Sequence, residues 1–134
     1  MTEYESGFAD ARGEKAKPYP SKLKMYICVR DEVPDHMVPV LVAHSVLGAH
    51  TLFTLPENWV ITYYRDWYLS SFKKVVLRIN QKEWSNIRND PDTYTYEGHE
   101  NTVLGGEKSC LVVCPDYWYP NTIKFAKMWS PKNG

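Results

Sequence analysis

Two histidines stand where they could handle protons from one surface. His36, Val40, His44 and Gly48 recur at four-residue steps, which places them on one face of a helix with the imidazoles about two turns apart. Imidazole is the side chain best suited to proton transfer near neutral pH. Gly48 lacks a Cβ and leaves the face beside His44 open to a ligand or a neighbouring backbone. Farther along, Glu97-Gly98-His99-Glu100-Asn101-Thr102 sets carboxylate, imidazole, amide and hydroxyl groups in a glycine-containing stretch, the kind of loop that carries function. His36, His44, Glu97 and His99 follow no recognised metal-ligand spacing, so no metal and no cofactor is expected. The cysteines, Cys28, Cys110 and Cys114, are odd in number. With no secretory pattern at the start of the chain, they argue against a disulfide framework. Cys110 and Cys114 share a strand face with Val112 and read as buried thiols.

These groups need elements to hold them. The chain has 134 residues, 43% of them hydrophobic, enough for one domain with a core. Residues 1–21 are polar, hold Gly7, Gly13, Pro18 and Pro20, and read as a flexible arm ahead of a domain spanning residues 22–134. Lys24 to Arg30 is a near-continuous apolar strand bounded by charge, suited to a central position. Asp35 is the expected N-cap of a helix from His36 to about His50, with Pro39 in its first turn and apolar residues over most of its surface, which fits a buried element.

A second helix, Trp59 to Ser70, carries Tyr63, Tyr64, Trp67 and Tyr68 at helical spacing. Those rings suit packing on a sheet, or a base-stacking or interaction surface. Lys73 to Asn80 reads as a strand, Gln81 to Asn89 as a short helix, Thr93 to Tyr96 as a strand and Glu97 to Glu107 as a loop. Ser109 to Cys114 is the last strand, and Pro120 to Trp129 a terminal helix. Strand, two helices, strand, helix, two strands, helix: this order predicts an α/β three-layer sandwich, a mixed four-stranded sheet with helices on both faces.

Several of these segments resemble a known family. Lys24-Met25-Tyr26-Ile27-Cys28-Val29-Arg30 is similar to the opening strand of type II peptidyl-tRNA hydrolases, and His44-Ser45-Val46-Leu47-Gly48-Ala49 to their His-Ala-Ala-Leu-Gly-Ala helix segment. Lys74-Val75-Val76-Leu77-Arg78-Ile79 resembles their second strand. Gly106-Glu107-Lys108-Ser109-Cys110-Leu111-Val112-Val113, closed by Pro115, resembles their last. The resemblance runs from about Lys22 to Trp129 in the family's order. The catalytic region departs from it. Met37 falls where the family has a lysine, Leu41 takes a glutamine position, and the Asp-Ala-Gly-x-Thr loop becomes Glu97-Gly98-His99-Glu100-Asn101 followed by Thr102.

Ester hydrolysis needs a base for water and donors for the developing oxyanion. His44 is the candidate base, with Glu97 to orient it or act itself. His99, Asn101 and Thr102 are candidate donors, His36 a further ligand contact, and Lys24 or Arg30 a replacement for the missing lysine. The expected function is hydrolysis of a nucleotide-containing substrate, a peptidyl-tRNA-like ester or a small nucleotide. The alternative is a non-catalytic protein that sequesters a small nucleotide. Sixteen cations balance sixteen carboxylates, and a protein gripping many phosphates is usually basic, so a small ligand is expected rather than a long duplex; the resemblance implies that this partner is a nucleotide or an RNA end. The resemblance implies a homodimer. No apolar run approaches the roughly 20 residues of a membrane helix, so no membrane partner is expected and the location is read as cytoplasmic.

Overall fold

The computed structural model describes residues 22–56 and 61–132; the N-terminal arm read from the sequence, and Trp59 at the start of the second predicted helix, lie outside them. Strand β1 (Lys24–Arg30) leads through a short 3₁₀ turn (Asp35–Met37) to helix α1 (Val38–Phe53) and helix α2 (Ile61–Leu69). Strand β2 (Lys73–Ile79), helix α3 (Gln81–Arg88), strand β3 (Thr95–Gly98) and strand β4 (Cys110–Asp116) follow. Helix α4 (Asn121–Phe125) and the two-residue strand β5 (Lys127–Met128) end the described chain. The fold is α/β with a mixed five-stranded sheet in the order β3-β4-β1-β2-β5. Strands β1 and β2 run parallel, Lys24 opposite Lys73 through Arg30 opposite Ile79, and the other pairings are antiparallel.

Alternation along the strands feeds two separate cores. Met25, Ile27 and Val29 of β1, with Cys110, Val112 and Cys114 of β4, pack with Leu41, Ala49 and Phe53 of α1 and Tyr64 and Trp67 of α2. Cys28, Leu111 and Val113 point the other way, to Trp84 and Ile87 of α3 and Ile123 of α4. Each such aliphatic or aromatic side chain, fully buried, contributes roughly 1.5–3 kcal/mol. Helix α3 starts in a capping box: the Glu83 amide donates to Asn80 Oδ1 and the Asn80 amide to Glu83 Oε1, both at 2.8 Å.

Five points correct the sequence reading. The sheet has five strands, not four, because the expected terminal helix stops at Phe125 and the chain turns extended at Ala126. Lys127 and Met128 then pair with Arg78 and Leu77, covering the otherwise open edge of β2. Asp35 does not cap α1. It sits inside the 3₁₀ turn, where it pairs with Arg78 at 3.3 Å and accepts from the Lys132 amide at 2.6 Å.

Helix α1 is not enclosed: Val38, Leu41, Ser45, Ala49 and Phe53 are buried, while Val40 and Leu47 are 51% and 70% exposed. By length and composition the helix Asp35–Phe53, 19 residues at mean hydropathy 1.3, is long and apolar enough to cross a membrane, against the expectation that no such run exists. Finally, Tyr63, Tyr64 and Trp67 are buried and only Tyr68 of that cluster is exposed, which removes the aromatic interaction surface. The Trp67 indole N–H donates to the Lys73 carbonyl at 2.8 Å, so the ring is core with its one polar group satisfied.

Candidate functional site

The site is set by how closely α1 lies on β3. A Cβ on Gly98 would fall 2.1 Å from Ser45 Oγ and 2.6 Å from Ser45 Cβ, and a Cβ on Gly48 would fall 2.2 Å from the Tyr96 hydroxyl. Glycine is therefore required at Gly98, where Ser45 Cβ and Cα cannot rotate away, whereas at Gly48 a Cβ would have to displace the Tyr96 ring. The open face beside His44 expected from Gly48 is filled by the Tyr96 ring rather than by a ligand. This contact fixes the middle of α1 against the end of β3, and with it the position of His44.

Beyond Gly98 the chain brings Glu100 back to α1. His44 Nε2 lies 3.6 Å from Glu100 Oε1, with the imidazole 54% exposed and the carboxylate 15% exposed. Glu100 Oε2 accepts a hydrogen bond from the Thr102 hydroxyl and another from the Thr102 amide at 2.7 Å. Those two donors, with the nearby imidazole, hold the Glu100 carboxyl below the usual carboxylate range. An ionised carboxylate fixed by its own loop thus faces a solvent-accessible imidazole.

Glu97 is placed elsewhere. Gly98 and Tyr96 face α1, so the period-two alternation of β3 turns Glu97 to the opposite face of the sheet. There its Oε1 pairs with Arg88 Nε of α3 at 3.1 Å. The carboxylate beside His44, where the sequence reading placed Glu97, is Glu100. Glu97 instead lines a crevice of about 330 Å³ with Arg30, Trp84, Arg88, Glu107 and Lys108. The crevice opens where β1 and α3 meet, at the carboxyl ends of the parallel strands β1 and β2, where open α/β sheets characteristically hold ligands.

No protein-family model matches this chain, and no curated protein matches it either.

The remaining candidates divide between the two places. Arg30 stands at the crevice. Its Nη1 donates to the Lys108 carbonyl at 3.2 Å, its Nη2 pairs with Glu32 at 2.9 Å, and its guanidinium lies 5.7 Å from the Trp84 ring centre. His99 lies on the loop between the two places, its Nδ1 3.4 Å from Lys108 Nζ. Asn101 is exposed beside Glu100 in sequence, and His36 is exposed in the 3₁₀ turn. The Thr102 hydroxyl is committed to Glu100 and so positions the carboxylate rather than standing free as an oxyanion donor. Lys24 is at the far end of β1, opposite Lys73 and Asp116, roughly 20 Å from Arg30 by strand rise; it does not stand in for the missing lysine.

Leu41 is buried in the core around α1 and Met37 packs, partly buried, against it. Among the described residues no group of three His, Cys, Asp or Glu side chains is arranged to hold a metal ion. Sequence reasoning missed Glu100, Arg88 and Lys108. Glu100 carried a signal: Gly98 marks the face of β3 that meets a helix, which sends Glu97 the other way, and Glu100-x-Thr102 is a short local hydrogen-bonding pattern.

Proposed function

We propose that this chain hydrolyses an ester of a nucleotide-containing substrate, with His44 as general base and Glu100 as its orienting carboxylate. The observation that carries this reading is the His44–Glu100 pair, in which Thr102 fixes the carboxylate. Glu100 sits on Nε2, so Nδ1 is the nitrogen left to take a proton from water. The resulting hydroxide attacks the ester carbonyl, the C–O bond to the nucleotide hydroxyl breaks, and the imidazolium returns its proton to that leaving oxygen. Glu100 stabilises the imidazolium between the two steps. The separation of 3.6 Å is long for a hydrogen bond and is expected to shorten when substrate excludes water, as apo dyads commonly do. The nucleotide part of the reading is supported by the resemblance to type II peptidyl-tRNA hydrolases. The observed order of elements supports the same resemblance, and the two cores on opposite sides of the sheet support a three-layer sandwich.

The test is release of free tRNA from peptidyl-tRNA. His44→Ala is expected to lower turnover by about 10²-fold or more, the usual contribution of a general base, and Glu100→Gln by a smaller factor. Turnover equal in wild type and His44→Ala overturns the reading. The second reading, a protein that binds a small nucleotide without cleaving it, is favoured by the loss of Met37 and Leu41 to the core, which leaves the dyad without the family's lysine. Nucleotide binding with no turnover selects it. We further propose a homodimer, supported by the exposed apolar Val40 and Leu47 on α1, and a cytoplasmic location, supported by three buried free thiols.

A further inference from the structure

The crevice on the other face of β3 is not used by the reaction proposed for His44. Three cations from three different elements converge on it: Arg30 at the end of β1, Arg88 at the end of α3 and Lys108 just before β4. Bringing like charges together opposes folding unless something negative offsets it. Two carboxylates line the same crevice, and they behave differently. Glu97 is engaged by Arg88, while the Glu107 side chain is exposed and makes no hydrogen bond or ion pair among the described residues.

Arg30 is held in place before any ligand arrives. Its side chain is only 17% exposed, it packs against Trp84, and its Nη1 is tied to the Lys108 backbone. Its Nη2 is paired with Glu32 at 2.9 Å, so the guanidinium is already oriented and meets an oxyanion without further loss of rotamer freedom, the oxyanion displacing Glu32 from it. The volume, about 330 Å³, lies at the lower end of the range for small-molecule sites and exceeds what a bare oxyanion fills. A ligand with a body beside its anionic group fits it, and Glu107 at the rim is an acceptor for hydroxyl or amino groups of that body.

We infer that this crevice binds a phosphomonoester of a small polyhydroxylated molecule, its phosphate taken by Arg30, Arg88 and Lys108 and its hydroxyls by Glu107. The phosphate competes with Glu97 for Arg88. Removing the Glu97 charge therefore tightens binding, whereas removing either exposed cation weakens it.

The test is isothermal titration calorimetry on the full chain with ribose 5-phosphate, inorganic phosphate and ribose as probes. Ribose 5-phosphate is expected to bind more tightly than inorganic phosphate, and ribose not at all. Arg88→Gln and Lys108→Gln are each expected to weaken binding about tenfold or more, the loss of one hydrogen bond to a charged group, and Glu97→Gln to strengthen it. Both cations are exposed side chains, so these variants retain the fold; circular dichroism confirms it. The inference is overturned if the wild type binds neither phosphate probe, or if both cation variants bind as tightly as the wild type. Binding is read as heat rather than turnover, so loss of the hydrolytic reading at His44 leaves this result standing.

Discussion

Replacing Gly98 by alanine tests whether the approach of α1 to β3 is what builds the His44 site. The new Cβ would lie 2.1 Å from Ser45 Oγ, 2.6 Å from Ser45 Cβ and 3.1 Å from Ser45 Cα. Rotating the serine side chain relieves only the first of these contacts, because Cβ and Cα are fixed by the helix backbone. Relief then requires α1 to move away from β3. Overpacking of this kind costs about 1–3 kcal/mol, and the clash with helix backbone places Gly98→Ala near the top of that range. With a urea m-value of about 2 kcal/mol per molar, the midpoint should fall by roughly 1.5 M.

The double variant Gly98→Ala/Ser45→Gly restores the space. Glycine in the middle of α1 costs roughly 0.5–1 kcal/mol in helix propensity. Little else is lost, since Ser45 Oγ is buried with no conventional hydrogen-bond partner and only the weakly interacting Cys110 thiol beside it. The two substitutions should therefore couple favourably, the double variant being more stable than Gly98→Ala alone by about 1 kcal/mol or more. Urea unfolding followed by tryptophan fluorescence measures all three. The reasoning fails if Gly98→Ala unfolds within about 0.5 kcal/mol of wild type, or if the double variant loses the sum of the single costs.

Two other predictions rest on groups away from that contact. Burial pushes the Cys110 thiol up to about 12 and raises Cys28 and Cys114 as well, so none should react with Ellman's reagent at pH 8 in the folded protein, and all three should react in 6 M guanidinium; prompt native labelling of one thiol contradicts that burial. Glu100, held by Thr102, Asp35, held by the Lys132 amide and Arg78, and Glu32, held by Arg30, are all lowered. Their stabilisation is present above the ordinary carboxylate range, near 4, and is lost as pH falls through the folded values. The urea midpoint should drop between pH 5 and pH 3, and carboxyl carbon shifts followed by NMR should place the Glu100 titration below that of an unfolded peptide.

Much of the fold was legible because its central elements are locally consistent. Lys24 to Arg30 and Lys73 to Ile79 are β-rich runs ended by charge or polarity, and they form β1 and β2 where expected. Helix α3 has both a clear apolar pair, Trp84 and Ile87, and its capping box. Features set by distant partners were not legible. The segment after Phe125 has the lysines and apolar spacing of a helix, but pairing with β2 and packing of Trp129 against Arg78 override it. Asp35 has the composition and position of an N-cap, yet Arg78 and the Lys132 amide, 43 and 97 residues away, claim it.

The site turned on a boundary. Starting the loop at Glu97 leaves Glu97, His99 and Glu100 equally able to meet His44, since a loop imposes no parity. Extending β3 through Gly98 removes that freedom. Tyr96 and Gly98 must then share the face that meets α1, Glu97 must face α3, and the next carboxylate able to return to α1 is Glu100, after the strand has ended. Two residues of strand thus exchange one carboxylate for another beside the imidazole. They also send Glu97 to the cationic crevice, where its charge balances Arg88. The same parity argues that the two places act on different groups: a substituent held by Arg30 and Lys108 lies across β3 from the bond that His44 would attack, joined to it only around the end of the strand, past His99.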